Sequence, residues 1–155
     1  AEHPLALMVR TDDIISCIGK WLDNEPEAWE LAFSLAKNMI QTHLASGHDV
    51  IVPHLLMYAE DAQAMEQIAK NCDATYYEFV LITDKEECVR RMYARGTWGE
   101  PGSPTLTKED RPIIEDLFDK VQKTLPARPL MVEITSATGD VVGTYQQIMD
   151  VISPE

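Results

Sequence analysis

Two adjacent carboxylates, Asp12 and Asp13, close the apolar stretch "LALMVRTDD". An acid at the end of a buried strand can take the proton of a substrate hydroxyl, or hold a water of a bound Mg2+. Two acids in tandem can divide the work, one facing a site and one capping the next helix. A structural alternative, a double cap for "IISCIGKWL", fits the same residues. A second candidate is "RRMYAR", where Arg91 and Arg95 are four apart and share a helix face. Their planar forks suit phosphate oxygens, although cations also stabilise a helix C-terminus without any ligand. Arg90 lies off that face and reads as surface. In "TSATGD", residues 135–140, the small residues let a flat ring approach the backbone. Equally, that stretch is an ordinary helix-capping turn. His54, after "VIVP", is either a polar contact to a bound substrate or a satisfied structural histidine. His3, His43 and His48 show no ligand spacing, and nothing reads as a zinc site.

Alternating elements must position these groups. "LALMVR", "DVIVP", "TYYEFVLIT" and "PLMVEIT" read as strands, short and apolar as in parallel sheets. Helices are expected over "IISCIGKWL", "NEPEAWELAFSLAKNMIQTHLASG", "EDAQAMEQIAKN", "DKEECVRRMYAR", "PIIEDLFDKVQKTL" and "DVVGTYQQIMDVI". Asn24 suits the cap of the second, and Trp29, Phe33, Ala36, Ile40 and Leu44 repeat along it at helical spacing. Asp84 suits the cap of the fourth. The fifth starts at Thr107 or Asp110, and Pro112 favours the later start. "GTWGEPGSPTL" is too rich in Gly and Pro for a regular element. Strands alternating with helices call for crossover connections and a parallel sheet, whose ligands bind beyond the carboxyl ends of the strands. Asp12, Asp13, His54, Thr83 and "SATGD" all follow strands, so they are expected along one rim.

Composition narrows the function. The chain has 155 residues, 45% of them hydrophobic, enough for one domain with a real core. A formal net charge of -13 disfavours an extended nucleic-acid surface. No apolar run approaches a membrane span. Cys17, Cys72 and Cys88 have no metal-ligand spacing and read as incidental thiols of a reducing compartment, taken as the cytoplasm.

The order of parts resembles the P-loop kinases of small substrates: strand then "TDD", long helix, "DVIV", "FVLIT", "ECVRRMYARG", loop, long helix, "VEIT", "SATGD". The polynucleotide-kinase-like, zeta-toxin-like and chloramphenicol-phosphotransferase-like members are most similar. This resemblance implies an α/β three-layer sandwich with a mostly parallel sheet, one domain over 1–155 with a lid at about 88–110. It implies an ATP-dependent kinase, a transferase using ATP and Mg2+ on a hydroxyl of a small or nucleoside-like acceptor. Asp12 or Asp13 matches the family's base toward that hydroxyl, Arg91 and Arg95 its lid arginines, and Ser136, Ala137 and Thr138 the loop near adenine. His54, with Pro53, stands where the family often has an acidic or polar residue, and is expected against the substrate. The phosphate-binding signature GxxxxGK[ST] does not occur in these residues. The family places it upstream, after a central first strand, so a strand slot is expected between "DVIVP" and "YYEFVLIT". A reading of another class is a non-catalytic domain of the same fold that serves as a binding module.

Overall fold

In a computed structural model, residues 4–153 are described. They form a mixed α/β structure with two short parallel ladders. β1 (Leu7–Met8) pairs with β2 (Val50–Ile51), and β3 (Glu78–Ile82) pairs with β4 (Met131–Thr135). Among the described residues β2 and β3 share no ladder. The pairs formed are therefore those expected on either side of the strand slot.

Among the described residues, each strand has a ladder partner on one edge only. Asp49 and Ile51 give their carbonyls to Leu7 and Val9, so Val50 and Val52 turn their backbone groups the other way. Ile82 likewise gives its carbonyl to Ser136, which turns Phe79 and Leu81 away from β4.

The helices follow the apolar spacing with local corrections. α1 (Thr11–Ser16) begins after an extended Arg10 and has no side-chain cap. Asp12 and Asp13 thus occupy its first turn, where the helix dipole favours anions, and neither acts as the cap. A short 3-10 turn, Trp21–Asn24, replaces the end of the expected first helix. α2 (Glu25–Ala45) has Pro26 in its first turn, but Asn24 makes no capping bond. Its buried stripe is Ala28, Ala32, Ala36 and Ile40, with Trp29, Phe33 and Leu44 flanking it half-buried. Alanines take that line because α1 and α3 (Ala59–Asn71) pack closely on the same helix.

α4 (Lys85–Arg95) is capped by Asp84, whose carboxylate accepts from the Glu87 amide at 2.8 Å. It stops at Gly96, whose φ of 86° is left-handed. Both starts expected for the fifth helix are realised. Thr107 and Asp110 cap a 3-10 turn at Lys108–Asp110, and α5 (Arg111–Thr124) follows with Pro112 in its first turn. α6 (Val141–Ile152) closes the described chain.

Apolar packing gathers in separate clusters. Val9, Ala36, Ile40 and Met65 form one, and Ile15, Trp21, Ala28 and Ala32 another. Val89, Leu106 and Ile114 form a third beside the second ladder. The halves meet through Tyr76 on the first cluster and through a buried ion pair. Arg128 and Glu78 are 6% and 7% exposed, and Arg128 Nε donates to Glu78 Oε1 at 2.5 Å. The same guanidinium donates through Nη1 to the Leu56 carbonyl at 3.3 Å.

That bond corrects the expectation of one shared rim. The segment leaving β2 reaches the amino-terminal end of the second ladder, because a buried guanidinium needs more acceptors than one carboxylate offers. Ser136 lies at the other end of that ladder, a strand length of about 13 Å away. Among the described residues, no helix is long and apolar enough to cross a membrane.

Candidate functional site

Two polar constellations result, one at the carboxyl end of each ladder. At the first, Thr11 is fully buried and its Oγ1 lies 2.6 Å from His54 Nδ1. The His54 ring packs on Phe33 with centroids 5.4 Å apart. Burial pushes the His54 pKa below its ordinary value, while the charges of Asp12 and Asp61 pull it back up. Burial raises the Asp61 carboxyl, against the pull of His54 and Lys37. Lys37 Nζ itself lies 5.0 Å over the Phe33 ring.

His54 thus meets Thr11, the residue before Asp12, and Asp12 acts on its ring as a charge. Asp13 turns aside toward Arg10 at 3.7 Å. Asp61 opens α3 and Lys37 sits mid-helix in α2; neither was singled out in the sequence. An acid in the first turn of a helix after a strand was the available signal for Asp61.

At the second constellation, Arg91 is the hub. It donates from Nε to Glu87 Oε1 at 2.7 Å, and from Nη2 to the Ser136 carbonyl at 2.8 Å and Thr138 Oγ1 at 3.3 Å. Nη1 donates to Ser136 Oγ at 3.2 Å. Thr138 also donates to Glu87. Hydrogen bonds from Arg90, Thr138 and Arg91 hold the Glu87 carboxyl far below the ordinary carboxylate range. Ser136, Ala137 and Thr138 line a groove of about 530 Å³ with Arg91 and the apolar side chains of Leu81, Val141 and Tyr145. Arg91 therefore does meet the loop assigned to a nucleobase.

Arg95 does not join it. Its Nε donates to the Thr97 carbonyl at 3.0 Å and its Nη2 to the Trp98 carbonyl at 2.6 Å. The two arginines share a helix but not a target, because the loop that follows α4 leaves carbonyls over its C-terminal end. Thr97 bridges Thr105, and the Leu106 amide donates to the Gly96 carbonyl at 2.9 Å, which closes that loop on itself.

The residues present fit an ATP site only in part. A groove beside Ser136–Thr138 can hold a ring, and Asp12 offers a carboxylate at a strand end. The Arg91 guanidinium is already shared among Glu87, Ser136 and Thr138, and no lysine-bearing glycine loop occurs in the sequence to cradle phosphates. His3 lies outside the described residues. Among those described, no three His, Cys, Asp or Glu side chains converge as a metal site would require. Compared with known proteins, the chain matches no family model, no curated protein and no solved structure.

Proposed function

We propose that this chain belongs to an ATP-dependent phosphotransferase acting on a hydroxyl of a small molecule, built as a P-loop-like three-layer sandwich. One observation carries the reading: two parallel ladders, β1–β2 and β3–β4, that share no strand pairing between β2 and β3 among the described residues. In this reading a further strand, which the described residues do not supply, lies between β2 and β3 and completes one parallel sheet. Inserting it draws the segment after β2 away from Arg128 and brings the two carboxyl ends toward one rim. ATP with Mg2+ supplies the transferable phosphoryl group. Asp12 accepts the proton of the acceptor hydroxyl, His54 contacts the acceptor, and Arg91 organises the Ser136–Thr138 loop around the base. The acidic surface favours uncharged acceptors in a cytoplasmic setting.

A second reading, a non-catalytic module of the same architecture, draws on the distance between the two constellations. Its support is the engaged state of Arg91 and Arg95, whose guanidinium groups are both committed to protein partners in this arrangement.

The deciding experiment is labelled phosphate transfer from ATP-Mg2+ to nucleosides, sugars and aminocyclitols by the full-length protein. Asp12→Asn is expected to lower turnover roughly 10²–10⁴-fold with little change in ATP affinity. Full turnover in both Asp12→Asn and Asp13→Asn would remove the base role. No transfer and no ATP binding would leave the binding module.

A further inference from the structure

Thr11 and His54 hold a hydrogen bond whose direction can be deduced. The Thr11 side chain is fully buried in the first turn of α1, and its hydroxyl has His54 Nδ1 as its one side-chain partner among the described residues. A buried hydroxyl whose proton has no acceptor is costly, so the proton points at Nδ1. Nδ1 is then an acceptor, and in the neutral ring Nε2 carries the hydrogen. The ring is fixed from several sides. Phe33 of α2 packs on it, with Lys37 over the same phenyl ring, while Asp12 of α1 and Asp61 of α3 act on it as charges. Burial favours the neutral form, and the two carboxylates oppose that.

We propose that Thr11, His54 and Asp12 form one unit, in which Thr11 locks His54 as the Nε2–H tautomer and His54 is a positioning residue. Its Nε2–H is a hydrogen-bond donor for the oxygen of the acceptor hydroxyl, beside the carboxylate that takes that hydroxyl's proton. The proton moves from the hydroxyl to Asp12, and the imidazole neither gains nor loses one. The acceptor class this selects is an uncharged alcohol. A phosphomonoester would meet Asp12 and Asp61 with like charge. The role of the unit rests on the phosphotransferase reading, whereas its existence does not.

The test is two-bond 15N–1H correlation NMR of the full chain, which reads the protonated nitrogen of His54 directly, followed through a pH titration. The expected result is a neutral Nε2–H ring that titrates below an ordinary histidine. Thr11→Ser, which keeps the hydroxyl, should preserve the tautomer, and Thr11→Val should lose the preference and raise the titration midpoint. Asp12→Asn should move the midpoint further down, because the carboxylate holds it up. In the full-length protein, His54→Gln keeps a donor and should keep acceptor kcat/KM within a few-fold. His54→Leu should lower it about tenfold through acceptor KM, with ATP KM unchanged. A proton on Nδ1, or an unmoved midpoint in Asp12→Asn, would overturn the unit. An intact unit in a protein that transfers no phosphate would count against the phosphotransferase role alone.

Discussion

Glu87 is a half-buried carboxylate with several donors: Arg90 at 2.6 Å, Thr138, and Arg91 at 2.7 Å. Its folded-state pKa is depressed, so the stabilisation it gives is complete above its ordinary value near 4.5 and is lost as pH falls below it. Solvent screening keeps the effect small. Glu87→Gln should lower the melting temperature by a few degrees at most at neutral pH, and the difference should start to shrink as pH falls below the ordinary value near 4.5 and disappear only once the depressed folded-state pKa is passed. A melting curve at each pH checks this. Individual residues were unevenly legible in the sequence. Asp84 and Gly96 announce the ends of α4 through local chemistry alone. The partners of Arg91 and Arg95 depend on where distant or looped carbonyls fall, which residue spacing does not encode. Thr11 was overlooked beside the two acids, although a hydroxyl just before them is the residue that reaches His54.

At the scale of elements, the buried Glu78–Arg128 pair joins the second ladder to the segment after β2. Removing one partner strands the other charge, so Arg128→Met should cost about 3–5 kcal/mol in urea unfolding. The double variant Glu78→Met, Arg128→Met should recover most of that loss, since well-packed apolar pairs often replace buried ion pairs without penalty. An acid inside the apolar run "YYEFVLI" and an arginine in "PARPL" were the sequence signals for this pair. Neither predicts its partner, which lies fifty residues away. The loop after α4 has its own anchor in Arg95. Arg95→Ala removes the bonds to the Thr97 and Trp98 carbonyls, and chymotrypsin should then cut after Trp98 about tenfold faster. The helices were readable because apolar spacing and caps are local. The strands were readable as apolar runs, but their lengths were not: β1 and β2 pair over only two residues each, since ladder length depends on the partner.

For the whole molecule, the alternation of strands and helices predicted parallel pairing, and both ladders are parallel. It also predicted one rim, and here the Arg128 bond to Leu56 brings the segment after β2 to the opposite end of β3 and β4. Beside both facts stands a third, two ladders with no pairing between β2 and β3 among the described residues. Residue-resolved amide hydrogen exchange on the 155-residue chain tests that feature most directly. The amides that face away from the ladder partners, Val50, Val52, Phe79 and Leu81, should exchange quickly, while Ile51, Val132 and Ile134, turned toward a partner strand, should be protected. Equal protection of both sets, with cross-strand contacts between 50–52 and 79–81, would mean that β2 and β3 pair directly. That result would contradict the open slot and the phosphotransferase reading built on it.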